Sequence, residues 1–249
     1  MLTDANAWCG TWPFDGQPAV EAAGLRHTLT AAGISAALVA ALDGLFAPDP
    51  MPAERRLAQQ VQGQPGLRHA PVGAADLPNW RAALREAVDT FRAPMVRLVP
   101  TLRPAAPDVA RLATVAAAAQ DLGIRTALVL RTEDERNQHP RLNVAPLPLE
   151  AMVGLARRVA PSPLLVLNAY TRELATLAVE HNLWFDTAML DGDDPIAAAA
   201  SRCPGRLVFG TAAPLLHAPA QVAKLRATDA DPAAAAAVAG LSLADLLAG

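Results

Sequence analysis

The side chains best equipped for chemistry cluster in Arg131-Thr-Glu-Asp-Glu-Arg136, with His139 just beyond, directly after the apolar run at 126–130. Guanidinium groups hold a carboxylate or a developing oxyanion through paired hydrogen bonds. A carboxylate such as Glu133, or the imidazole of His139, can take a proton from water. The same residues can also form a structural ion pair, Arg131 with Glu133 or Asp134, and His139 can be solvent-exposed or bonded to backbone. The position favours chemistry, because α/β proteins place reactive groups at the C-terminal ends of their strands. Other apolar runs end in the same way. Asp4, Asn6 and Trp8 lie on the first, and Asp43 and Asp76 follow the next two. Arg97 lies on the fourth, Asn168 and Asp186 close the sixth and seventh, and Thr211 and Ala212 follow the eighth.

Those runs define the elements that must hold the groups in place. Eight candidate strands cover 2–7, 35–41, 69–74, 95–100, 126–130, 164–167, 183–187 and 206–209, with helix-like windows between them. Start signals mark several helices: Pro78 after Asp76, Pro107 before Asp108, Pro148 before Glu150, Thr171 before Glu173, and Pro195 after Asp194. Strands that read as unbroken Val, Leu and Ala are covered on both faces, as in parallel sheets. The expected fold is therefore a single-domain (β/α)8 TIM barrel over 1–249, with windows at 218–226, 232–238 and 242–247 covering its outside. A doubly wound open sheet is the alternative, but it calls for a glycine-rich phosphate turn after the first strand, where the chain has Trp8-Cys-Gly-Thr-Trp12.

Composition narrows the partners. A chain of 249 residues, 52% hydrophobic and 18% charged, has enough apolar sequence for a sizeable core. Its formal charge is −3, and its basic residues are scattered, all Arg except Lys224. Nucleic acid is not an expected partner. No apolar run reaches the roughly 20 residues of a membrane span, and the start lacks a secretory pattern, so a cytoplasmic location is expected. Cys9 and Cys203, without Cys-x-x-Cys spacing, are read as buried thiols.

Taken in order, several motifs resemble the amidohydrolase superfamily, specifically its amidohydrolase-2 branch. They are Asp4-Ala-Asn-Ala-Trp8 with Gly10 and Trp12-Pro-Phe14, the Arg131–Arg136 block with His139-Pro140, Leu167-Asn168, Phe185-Asp186, and Phe209-Gly-Thr-Ala-Ala-Pro214. The resemblance implies a barrel with a strand-end metal centre. Where the family keeps metal ligands, this chain has Asn6, Trp8, Arg131, Asn168 and Ala212. Zinc needs imidazole, thiolate or carboxylate donors, and a fixed cation repels it. No metal and no other cofactor are therefore expected.

Two functions remain open. One is metal-independent hydrolysis of a small carboxylated ester, lactone or amide. In it Arg97, Arg131 and Arg136 hold the substrate with Asn6, Asp134, Asn168 and Thr211, and one of Asp4, Glu133, His139 or Asp186 is the base. The other is a barrel without turnover that binds an anionic small molecule or a protein partner. Asp4, at the start of a buried strand, is expected to pair with an Arg or with backbone amides. Trp12-Pro-Phe14 reads as a packed loop cover. The loops at 43–52 and 137–148 are candidate lids or subunit contacts, and a homodimer is compatible with the exposed faces.

Overall fold

The computed structural model describes residues 1–103, 108–136, 138–142 and 144–248. Among them the strands are β1 (Thr3–Cys9), β2 (Ala36–Ala41), β3 (Leu67–His69), β4 (Val72–Gly73), β5 (Met95–Leu98), β6 (Arg125–Val129), β7 (Leu164–Leu167), β8 (Leu183–Asp186) and β9 (Leu207–Val208). All neighbouring strands pair in parallel, β1 to β3 in one run and β4 to β9 in another. β3 and β4 share one barrel position, so the expected eight strand positions are present. The open-sheet alternative fails because β1 also meets the end of the last strand. There Ala5 N–H donates to the Phe209 carbonyl and Trp8 N–H to that of Ala213, both at 2.8 Å.

The break between β3 and β4 has a local cause. Pro71 has no N–H to contribute to a ladder. The helix α2 (Met51–Gln62) supplies a replacement: Glu54, fully buried, accepts the Ala41 amide at 3.2 Å and the Val72 amide at 2.8 Å. A helix side chain thus bridges the interruption in the sheet.

Strand residues alternate between two packed layers. Val39, Val96, Leu128, Val166 and Phe185 face outward to the helices. Leu38, Met95, Ala127, Leu165 and Val208 face the barrel interior. The helices between the strands include α1 (Ala22–Ala31), α3 (Trp80–Asp89), α4 (Val109–Asp121), α5 (Leu149–Val159), α6 (Leu174–Leu177), α7 (Pro195–Arg202) and α8 (Ala218–Arg226). Asp108 and Asp194 cap α4 and α7 through their side chains, in line with the sequence signals. Pro107 lies outside the described residues.

The C-terminal helices correct one expectation. After α9 (Pro232–Ala236), α10 (Ser242–Ala248) does not lie on the outside of the barrel. Leu243 and Leu246 pack among the inward-facing strand residues, and the Leu246 carbonyl accepts Arg125 Nε at 2.8 Å. Because Arg125 begins β6, α10 closes the end of the barrel opposite the mouth.

Candidate functional site

At the mouth, the strand-end residues converge on one another. The Asn6 carboxamide donates through Nδ2 to Asn168 Oδ1 at 2.7 Å and to Asp186 Oδ2 at 2.8 Å, and its Oδ1 accepts Trp8 Nε1 at 2.9 Å. Asn168 donates its amide N–H to Asp186 Oδ1 and its Nδ2 to the Arg131 carbonyl, both at 2.7 Å. Asp4 accepts the Asn6 and Thr211 amides at 2.8 and 3.0 Å on Oδ1, and the Thr211 hydroxyl at 2.5 Å on Oδ2. Asp4, Asn6, Arg97, Asn168, Asp186 and Thr211 are all 0% exposed. A surface that no water-sized sphere touches borders neither solvent nor a hydrated cavity.

Arg97 and Arg131 are buried and committed to protein partners. Arg97 lies inside the barrel over the Trp8 ring and donates to the carbonyls of Ala7, Ala5 and Leu38 at 2.9, 3.3 and 2.7 Å. Arg131 does not pair with Glu133 or Asp134. Its fork is bound by Glu173 and the Asn168 carbonyl, with Glu135 at 3.1 Å on Nε, and it stacks on Tyr170. Glu173 presents both oxygens to the planar donor pair, while Glu133 is taken by Trp12 and Asp134 by Arg136 and Tyr170. Arg136 is solvent-exposed and pairs with Asp134 at 2.5 Å.

A loop cover completes the mouth. Trp12 Nε1 donates to Glu133 Oε1 at 2.5 Å, leaving Glu133 Oε2 buried without a partner. Trp12, Phe14 and Phe46 form a mutual cluster with ring centroids 5.4 to 5.5 Å apart, and His139 packs on Phe14. His139 Nδ1 accepts the Arg141 amide at 3.2 Å. The loops at 43–52 and 137–148 therefore contribute Phe46 and His139 to the cover, while Asn137 and Asn143 lie outside the described residues.

Burial sets the electrostatics. It pushes the Asp4 carboxyl up to about 6, against the hydrogen bonds from Thr211 and Asn6 and the charge of Arg97. Asp186 is raised for the same reason, and Arg97 is lowered to about 10. Asp134 moves the other way, held at about 2 by the Arg136 guanidinium.

These residues do not fit a divalent cation. The Asn6 and Asn168 amide oxygens already accept N–H donors, and the Arg131 cation sits beside them. Ala212 has no donor side chain, and its backbone, at φ 53°, is held by the hydrogen bond that its amide N–H donates to the Asn6 carbonyl. Among the described residues no group of three or more His, Cys, Asp or Glu is placed to hold a metal.

Sequence reasoning missed Glu173 and Tyr170. Thr171-Arg-Glu173 reads as a helix start, and so it is: Glu173 Oε2 accepts the Tyr170 amide at 2.8 Å while binding Arg131. An Asn-x-Tyr-x-x-Glu stretch at a strand end opposite an arginine-bearing strand was the available signal. Lys224, whose pKa burial lowers to about 8, was also missed; it donates to the carbonyls of Thr187, Ala188 and Leu190, holding the turn after β8.

No protein-family model and no curated protein matches the chain by sequence. Solved structures do match in fold. 5-Carboxyvanillate decarboxylase from Sphingomonas paucimobilis superposes with a TM-score of 0.73 at 14% identity, covering 99% of this chain and 98% of that one. 2,6-Dihydroxybenzoate decarboxylase from Rhizobium gives 0.71 at 13% identity, covering 99% and 98%. A probable 2-pyrone-4,6-dicarboxylic acid hydrolase from Acinetobacter baumannii, with citric acid bound, gives 0.69 at 10% identity, covering 100% and 99%. The resemblance to amidohydrolases thus holds at the level of architecture: this chain is built on the same (β/α)8 barrel as these decarboxylases and this hydrolase.

Proposed function

We propose that this barrel binds a small carboxylated molecule at the rim of its mouth and does not hydrolyse it. One observation carries the reading: the side chains on the barrel axis are fully buried and bonded to one another, so the place where barrel enzymes act is filled by the protein itself. The cations open to a ligand lie on the rim around Tyr170, where the Arg136 and Arg172 side chains are 70% and 74% exposed. A carboxylated ligand agrees with the bound citric acid of the hydrolase of like fold.

Metal-independent hydrolysis is the second reading, favoured by the two buried carboxylates, Asp4 and Asp186, whose raised pKa values suit proton transfer. It requires the Trp12–Glu133 cover to open and Arg131 to leave Glu173.

Calorimetry with citrate, combined with lactone, ester and amide hydrolysis panels run with and without added zinc or manganese, separates the two. Saturable citrate binding weakened by Arg136→Ala or Arg172→Ala, without turnover in any panel, is the expected result. Turnover that disappears in Arg131→Ala would overturn it in favour of hydrolysis.

A further inference from the structure

α10 closes the end of the barrel opposite the mouth unevenly. The Leu246 carbonyl ties it to Arg125 at the start of β6, and beside the first strands it leaves a groove of about 470 Å³. Small-molecule sites typically measure roughly 300–1,000 Å³. Leu243 and Leu247 of α10 line the groove, with Leu241, 64% exposed, just before them. Leu241 ends a π-helical turn, Ala237–Leu241, a geometry that recurs at functional sites. Leu38 of β2 and Arg68 of β3 line it from the sheet. Partners in a parallel ladder present their side chains on the same face, and Leu38 and Arg68 are partners. Because Leu38 packs among the inward-facing residues, Arg68 also lies on the inner face of the barrel.

Arg68 is the only charged side chain among the residues lining the groove, and it is exposed. Arg97, which also lies on the inside, is taken by three backbone carbonyls. Arg68 has no such commitment: it forms no side-chain hydrogen bond or ion pair among the described residues. We propose that this groove binds a carboxylate carrying an aliphatic chain, with the chain along Leu38, Leu243 and Leu247 and the head group on Arg68. Charge complementarity selects the class. A guanidinium without a partner in an otherwise apolar groove offers the head group two parallel hydrogen bonds, while the leucines take the chain out of water. A purely apolar ligand would leave the cation unanswered, and a small anion would leave the leucines wet. The groove shares no residue with the mouth and is independent of the function proposed there.

Calorimetry on the whole protein with octanoate, acetate and 1-octanol tests the assignment. Octanoate is expected to bind saturably, acetate not at all, and octanol about tenfold more weakly than octanoate. Arg68→Ala alters only an exposed side chain, so it keeps the fold, and it is expected to weaken octanoate about tenfold, the loss of one charge-assisted hydrogen bond. Ala244→Trp, at an exposed position of α10 that lines the groove, is expected to abolish binding. Absence of saturable octanoate binding would overturn the proposal, as would equal affinity for octanol or unchanged octanoate affinity in either variant. Sedimentation of the ligand-free protein as a dimer that Ala244→Trp dissociates would also overturn it, in favour of a second copy of the chain on this face. Arg68 is remote from the rim, so none of these outcomes depends on whether citrate binds there.

Discussion

Asn6→Ala is the most direct perturbation of the barrel centre. It removes a fully buried carboxamide that makes three side-chain hydrogen bonds, with Asn168 Oδ1, Asp186 Oδ2 and Trp8 Nε1, at 2.7 to 2.9 Å. Each partner is itself buried and loses a bond. At about 1–3 kcal/mol per orphaned group, with the Asp186 carboxylate at the upper end, the gross cost is about 5–9 kcal/mol. A water entering the space can restore part of it, leaving a net loss of about 3–4 kcal/mol. Urea unfolding of the wild-type protein and the variant measures this difference. Arg136→Ala, which alters an exposed ion pair, serves as the reference and should change stability by less than about 1 kcal/mol. If Asn6→Ala lost less than about 1 kcal/mol, the three bonds would not be holding the barrel together. The side chain would then be available for ligands, and the argument for a closed axis would fail.

Asp4→Asn should change how stability depends on pH. The folded pKa of Asp4 is raised from 3.8 to about 6, so its contribution is fully present below 3.8 and is lost as pH rises through 6. The wild-type protein should therefore gain up to about 3 kcal/mol relative to Asp4→Asn between pH 7.5 and pH 3.5, read by urea unfolding at both values; a difference that did not vary with pH would contradict the burial argument. Glu173→Gln leaves the Arg131 cation under-compensated at 3% exposure and should cost about 3 kcal/mol in the same assay, whereas a change within error would mean that Glu135 alone suffices. Added zinc or manganese should leave the melting temperature unchanged at neutral pH; a saturable rise would show that the described donors rearrange to bind it.

The architecture was readable in the chain because parallel barrel strands are apolar on both faces and stand out as runs such as Leu164–Leu167, which matches its predicted bounds. The break at Pro71 was not read, since the run at 69–74 continues in hydropathy across a proline whose consequence depends on Glu54, remote in sequence. At the site, the positions of Asp4 and Asn6 on the first strand and of Asn168 and Asp186 at the ends of theirs were legible, but their mutual bonding was not. Polar side chains at strand ends look the same in sequence whether they face a ligand or each other. The partner of Arg131 illustrates the limit. Proximity along the chain pointed to Glu133 and Asp134, yet the fold brings Glu173 from 42 residues away.

The bonds from Asp4 to Thr211 span 207 residues of chain. β1 is the first strand to be synthesised, yet the strand end that clasps it emerges only after almost all the others. Until then Asp4 and Asn6 are polar groups on an otherwise apolar segment with β2 as the only strand beside them, and contacts so distant in sequence form slowly. The polar centre that shuts the mouth is therefore also the latch of folding, set only when the two ends of the barrel meet, and a nascent or partly unfolded chain would present β1 as a free edge.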